Sequence, residues 1–298
     1  MAEPFHYGGQ AVIEGVMIRG KETVAISVRQ PNGQLSVVKQ PLASIYKGRL
    51  RQIPLIRGII VLIETLALGT QSLLHSAQVA AAEEGEQKIP TAVLWGTVAL
   101  SLALGVALFF MVPLLATRYL IDPYIESALL SNLFEGLIRI GIFVAYLKLI
   151  SLIPDIRKVF AYHGAEHKVV NAYEAGVPLD VESVKKYSTA HARCGTAFLF
   201  IVLIVAILVF ALVGQPTLWV RILSRIALIP VIAVISYEIM KFGASHIENR
   251  LVRVLLSPGL LLQRITTRQP DDSQIEAAIS ALNEVIKIDQ TAESTRST

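Results

Sequence analysis

Cysteine is nearly absent from this chain. One residue in 298, Cys194, excludes an intrachain disulfide framework and leaves a free thiol. Charge is sparse as well: Asp, Glu, Lys and Arg make up 17% of the sequence, against roughly 25% in ordinary globular proteins. The opening residues Met-Ala-Glu-Pro-Phe-His lack the apolar core of a signal peptide, so membrane insertion is expected to depend on internal segments. No stripe of basic residues interleaved with aromatics is present, which argues against sequence-specific nucleic-acid binding. The net charge of +4 lies mostly beside apolar segments, where it suits anionic lipid headgroups.

Apolar sequence is what the chain has in excess, at 53% of residues and a mean hydropathy of +0.57. A membrane-spanning helix needs about 20 consecutive, mainly apolar residues. Residues 91–117 and 195–220 meet this without a charge before Arg118 and Arg221. Residues 136–154, with Arg139 and Lys148, and 222–240, with Arg225 and Glu238, are spans with internal charge. In residues 53–74, Arg57 and Glu64 stand on one helical face. A full span there would put the basic leader (Arg19, Lys21, Arg29, Lys39, Lys47, Arg49, Arg51) and the basic 155–194 loop on opposite sides. Four spans put both inside, with the acidic 118–135 loop (Arg118 against Asp122, Glu126 and Glu135) outside. Residues 53–74 are therefore read as a re-entrant or interfacial helix.

The fold class expected is mainly α: a polytopic membrane protein with about four transmembrane helices, a re-entrant or interfacial helix, a small cytoplasmic β unit and a C-terminal cytoplasmic helix. Thr23–Arg29, the turn signal Pro31-Asn32-Gly33 and Gln34–Lys39 read as a β-hairpin, with another short strand between Gly8-Gly9-Gln10 and Glu14-Gly15. Ile275, Ala278, Ile279, Leu282 and Ile286 form a helical stripe, with Asp271, Asp272 or Ser273 as its cap. The divisions are 1–50 (β unit), 51–90 (amphipathic helix and linker), 91–154 (helix pair), 155–194 (His/Cys segment), 195–240 (helix pair), 241–290 (C-terminal segment) and 291–298 (disordered tail).

Three of the six histidines and the single cysteine fall between residues 163 and 194. Imidazole and thiolate are preferred ligands of zinc-like metals. His163 and His167 are one helical turn apart, and His191 and Cys194 are three apart, both usable spacings. His163-x-x-Glu166-His167 matches the H-x-x-E-H string of inverted zinc hydrolases, in which the glutamate activates water. In that assignment Glu238 or Glu248 is the remaining ligand. In the competing one, His163, His167, His191 and Cys194 close a four-ligand structural site. Ordinary interfacial histidines are the plain alternative. Lys168 and Arg193 are candidates to stabilise an anion, and Asn171 to orient a ligand. Tyr162, Tyr173 and Glu174 are polar neighbours, and His246 reads as interfacial.

At these residues the sequence resembles a known family. The strings GGQAVIEGVMIRG (8–20), YHGAEHKVVNAYE (162–174), HARCGTAFL (191–199) and PGLLLQRITTRQPDD (258–272) resemble the bacterial YqhQ-like membrane proteins, labelled predicted metal-dependent enzymes. The resemblance covers about residues 5–288 and departs at Ala192, where Pro is expected. It implies a multi-pass protein of the bacterial inner membrane, and the charge bias puts both termini on the cytoplasmic side. Its motif maps onto His163, Glu166, His167, His191 and Cys194, with a divalent metal, most simply zinc, as cofactor. No reaction is implied. Three functions remain: a metal-dependent hydrolase of a membrane-borne substrate; a non-enzymatic assembly or insertion factor with a structural zinc and a ribosome, translocon or membrane-protein client; and, last, a small-solute transporter.

Overall fold

The computed structural model describes residues 5–81, 90–214 and 216–297. Part of the expected linker, residues 82–89, lies outside them. The chain is mainly helical, with one antiparallel sheet of order β1-β2-β3-β4: β1 Gly8–Val12, β2 Gly15–Arg19, β3 Thr23–Arg29 and β4 Leu35–Pro41. The expected hairpin is β3–β4. The glycines upstream bracket two strands rather than one, turning at Glu14, whose φ is 51°. The helices are α1 Ile56–Ala80, α2 Thr91–Val106, α3 Val112–Leu120, α4 Ala128–Ile150, α5 Pro154–Glu174, the single turn α6 Val181–Val184, α7 Gly195–Val213, α8 Leu218–Ala227, α9 Ile229–Ser245, α10 Arg250–Thr266 and α11 Asp272–Ser297.

Both faces of the sheet are covered. Val16, Ile18 and Ala25 share a core with Tyr162, Ala165 and Val169 of α5 and with Ile275, Ala278 and Leu282 of α11. Met17, Val24, Ile26 and Val28 point the other way, against Leu68 and Val79 of α1. Alternation along a strand sends neighbours to opposite faces, so two apolar layers account for the near-continuous apolar run of β3. Asp289 of α11 ties the ends of the chain together. Its carboxylate accepts from the Tyr7 hydroxyl at 3.0 Å and from the Lys21 and Glu22 amides at 2.8 and 3.1 Å.

Three helices, α1, α2 with α3, and α7, are long and apolar enough to cross a membrane, or up to five if each bent pair (α4–α5 and α8–α9) is one span. Several expected bounds shift. α4 starts at Ala128, not 136, and the chain bends by 101° into α5 at Pro154. α7 stops at Val213, before Pro216, with Gly214 at φ 76°. The span expected at 222–240 is broken between α8 and α9 by 44°, with Pro230, which has no N–H to give, in the first turn of α9. α1 is one unbroken helix, so it contains no re-entrant turn. Its first turns pack on α9, with Gly58 against Val234, while Glu64, Gly69 and Ser76 are bound to the sheet unit through Arg19, Gln10 and the Ile13 amide. The stretch expected as a loose tail is helical as far as Ser297.

The buried charges among the apolar helices are paired. Pro113 cannot bond the Phe109 carbonyl four residues back, the helix relaxes into a π turn at Ala107–Met111, and Arg139 Nε fills that carbonyl at 2.9 Å. Arg139 also donates to Glu135 at 2.7 Å. Glu135, expected in a polar loop, lies inside α4 at 1% exposure and accepts from Arg221 at 3.0 Å and Arg225 at 2.9 Å as well. Asp122 takes the other arm of Arg221 at 2.8 Å, Asn132 accepts from Arg225 at 2.8 Å, and the Phe210 ring lies 4.2 Å under the Arg225 guanidinium. Removing one partner of a buried ion pair strands the other, at a cost of about 3–5 kcal/mol. Glu135→Ala strands three arginines and is expected to lower Tm in detergent far more than Glu182→Ala at an exposed pair. Equal shifts would show that the cluster does not hold α4 to α8.

Candidate metal centre

The site begins with α5. Pro154 opens the helix at N1, where its missing N–H costs nothing, and Asp155 adds a favourable acid to the first turn. Gly176, at φ 70°, lies beyond its last turn. Tyr162, Ala165, Val169 and Ala172 face the sheet core. His163, Glu166 and His167 point towards the junction with α7 and α10.

Each of the two α5 histidines is oriented by a main-chain carbonyl. His163 Nδ1 lies 2.8 Å from Thr266 O at the end of α10, and His167 Nδ1 lies 2.6 Å from Thr189 O in the loop before α7. A carbonyl can only accept, so both Nδ1 atoms carry the proton and both Nε2 atoms are lone-pair donors when the rings are neutral. Carbonyl-held Nδ1–H with Nε2 turned inward is the arrangement that orients a metal-ligating histidine. Cys194 caps α7, its Sγ accepting from the Thr196 amide at 3.3 Å and lying 3.3 Å from His163 Nε2. His163, His167 and Cys194 each place one donor atom within 4.8 Å of the other two.

The remaining residues divide. Glu166 is at the site's edge: Oε2 is 3.6 Å from His167 Nε2, and Oε1 accepts from the Gly9 amide of edge strand β1 at 3.1 Å. His191 is adjacent, with ring centroids 5.6 Å from His167, but its Nε2 faces Glu174 at 3.5 Å. Arg193 pairs with the same carboxylate. Burial pushes Glu174 up, but the His191 hydrogen bond and the Arg193 charge outweigh it and hold the carboxyl at about 2. Arg193 therefore serves Glu174 rather than standing free for an anion. Lys168 is buried, which lowers its pKa, and its ammonium donates to the carbonyls of Lys185 and Tyr187 at 2.7 and 2.6 Å. Asn171 donates to Ser188 O and Ala190 O at 2.9 and 3.1 Å. Lys168 and Asn171 thus hold the loop that offers Thr189 O to His167. Glu238 is not at the site. It accepts from Leu55 N at 3.1 Å and pairs through both oxygens with Arg57, steadying Leu55, whose φ is 67°. Glu248 is exposed, and His246 stacks on Phe242 at 4.2 Å.

Spacing did not disclose Gln263, Thr266 or Gly164. Gln263 brackets His191 through its backbone, accepting from His191 N and donating to His191 O, both at 2.9 Å. A Cβ on Gly164 would lie 2.0 Å from Arg268 O, so only glycine lets the chain leaving α10 close on α5. All three lie within the strings 162–174 and 258–272, so the signal was present without its meaning.

The family model described as "Protein of unknown function (DUF1385)" matches residues 53–288. The "Uncharacterized protein YqhQ" of Bacillus subtilis (strain 168) is 34% identical over 302 residues, covering 97% of this chain and 95% of that protein. No solved structure matches the chain.

Gly164→Ala is expected to push the 266–268 segment off α5 and open the site. The sole cysteine, 3% exposed, reports this directly. Labelling of Cys194 by a maleimide in the native detergent-solubilised protein should rise at least several-fold in Gly164→Ala. It should stay at the wild-type rate in Gly141→Ala, where a Cβ meets nothing. Unchanged labelling in both would show that this close approach does not seal the site.

Proposed function

This chain belongs to the YqhQ-like family of proteins of unknown function (DUF1385), and we propose that it is an integral membrane protein with a catalytic metal centre at the cytoplasmic edge of the bilayer. The membrane part of this reading rests on α2. None of its side chains is buried, and Leu100, Leu102 and Leu104 are 61–69% exposed on an uncharged, mainly apolar helix. Lipid is the solvent in which such a helix is stable. In the proposed topology α2–α3, α4, α7 and α8–α9 cross. α1 and α10 lie along the inner interface, and the sheet with α5 and α11 is cytoplasmic, as the positive-inside bias requires.

The centre is carried by a single observation: two histidines with Nδ1 at main-chain carbonyls and Cys194 each place a donor atom within 4.8 Å of the other two, with His163 Nε2 3.3 Å from Cys194 Sγ. Borderline-soft N and S donors fit a zinc-like divalent ion, and three protein ligands leave one position open, the pattern of catalytic rather than closed sites. Such an ion would supply Lewis acidity towards a carbonyl or phosphoryl oxygen. Glu166 supplies the base. The Gly9 amide fixes its Oε1, so Oε2 is the atom that takes a proton from water at the site. The reaction class is hydrolysis, and the position of the centre between sheet and apolar helices favours a membrane-borne substrate.

A second reading, an assembly or insertion factor with a structural zinc, is favoured by depth: His167 is 1% and Cys194 3% exposed. The ion would then rivet α5 to α7, and the partner would bind elsewhere. Metal content per chain of chelator-free protein in detergent separates the readings. About one ion per chain is expected in wild type, His191→Ala and Glu166→Gln, and none in His163→Ala or His167→Ala. Loss of the ion in His191→Ala would mean a closed four-ligand site and the structural reading. A wild type without metal would sink both.

A further inference from the structure

We infer that a groove beside the His/Cys centre binds the headgroup of an anionic phospholipid. This rests on the membrane reading but not on the catalytic one. The groove, about 480 Å³, runs between the 189–190 loop and the C-terminal half of α10 and includes Thr189, Leu260, Leu261, Gln263, Arg264 and Arg268. Its chemistry is amphiphilic. Leu260 and Leu261 give it an apolar wall, and Arg264 and Arg268 give it two cations. Among the described residues neither arginine has a carboxylate partner within salt-bridge distance; the same holds for Arg157, which with Arg268 donates to Ser151 O at the α4–α5 bend. Guanidinium forks suit phosphate oxygens, and Arg264 and Arg268 in the groove, with Arg157 meeting Arg268 at Ser151 O, give a local charge that an anion complements.

The surroundings select a lipid as the source of that phosphate. Leu149, Leu152 and Ile153 at the bend are 48–64% exposed, and Leu251, Val254, Leu255 and Leu261 along α10 are 53–77% exposed. Apolar surface therefore flanks the cationic groove on two sides, which suits acyl chains and does nothing for free phosphate. Basic side chains at a membrane surface contribute about 1 kcal/mol each towards anionic lipid.

The groove also shares its walls with the centre. Thr189 O holds His167, Gln263 holds the His191 backbone, and the Thr267 hydroxyl donates to Gln263 O at 2.7 Å, one residue from the carbonyl that holds His163. A headgroup seated there braces the 188–191 loop and α10 against each other. Occupancy by lipid and the rigidity of the histidine cluster are therefore linked.

The test is native mass spectrometry of the full chain in detergent, titrated with dioctanoyl phosphatidylglycerol, dioctanoyl phosphatidylcholine or inorganic phosphate. Phosphatidylglycerol should bind more tightly than phosphatidylcholine by about 30-fold, the equivalent of two basic contacts. Arg264→Gln with Arg268→Gln should remove that preference, and Arg250→Gln with Arg253→Gln, outside the groove, should keep it. Bound phosphatidylglycerol should also slow maleimide labelling of Cys194. Equal binding of the two lipids, an unchanged preference in the groove double variant, or saturation by inorganic phosphate without a lipid preference would each overturn the inference. Failure of the membrane reading would show separately, as a chain that fractionates without membranes or detergent.

Discussion

The junction between the sheet and the apolar helices depends on how closely α5 approaches the chain that leaves α10. At Gly164 the two backbones nearly touch, and the Arg268 amide donates to Phe160 O at 2.9 Å. That contact fixes where Thr266 O stands, and so which way the His163 ring turns. It also fixes α10, whose Gly259 lies against Ala197 in the first turn of α7, and hence Cys194 at the α7 cap. One missing methyl group sets the relative positions of the three segments that meet at the site.

A second chain of contacts reaches the same place from the other side. Lys168 and Asn171, one and four residues past His167, close the loop 185–190 by donating to four of its carbonyls. The loop in turn presents Thr189 O to His167. From sequence position Lys168 reads as a group that stabilises an anion and Asn171 as one that orients a ligand. Buried carbonyls without partners are costly, however, and the donors within reach are drawn to them. α5 thus supplies the donor atoms and also the scaffold that orients them. The other scaffold groups come from α10, through Gln263 and Thr266.

Much of this was legible in the sequence because it follows from periodicity. The β3–β4 turn, the stripe of α11 and the one-turn spacing of His163 and His167 each depend only on local geometry. The convergence of Cys194 on that pair was legible as an alternative, not as a result, since spacing gives a shared face and not which face another element meets. The orienting partners were hidden for a stronger reason: Thr266 O and Thr189 O are backbone atoms, and any residue type could supply them. Glu238 and Glu135 misled in opposite directions. A lone carboxylate in an apolar run reads as functional, yet Glu238 is matched by Arg57 from α1. Glu135 reads as a loop acid, yet it sits among three arginines drawn from α4 and α8. Pairing between distant helices leaves no periodic trace.

The two polar clusters differ in a way that separates structure from chemistry. Around Glu135 the acceptors are filled: each carboxylate oxygen takes two N–H groups, and Arg139, Arg221 and Arg225 find further acceptors in Phe109 O, Asp122 and Asn132, with Arg221 Nε and Arg225 Nη1 the buried donors left over. Such a cluster is a joint between helices, closed on its acceptor side. At the His/Cys cluster the balance tips towards acceptors. Both Nδ1 protons are committed outward, the thiol proton can serve one imidazole only, and the Glu166 oxygen at 3.6 Å is beyond hydrogen-bond reach of His167 Nε2. The three donor atoms lie within 4.8 Å of one another, with His163 Nε2 and Cys194 Sγ at hydrogen-bond distance. The folding energy that brings them together comes from α5 on the sheet and α10 on α7, contacts that do not need the site. The cluster is therefore placed by its surroundings, with donor atoms of His163, His167 and Cys194 left facing one another.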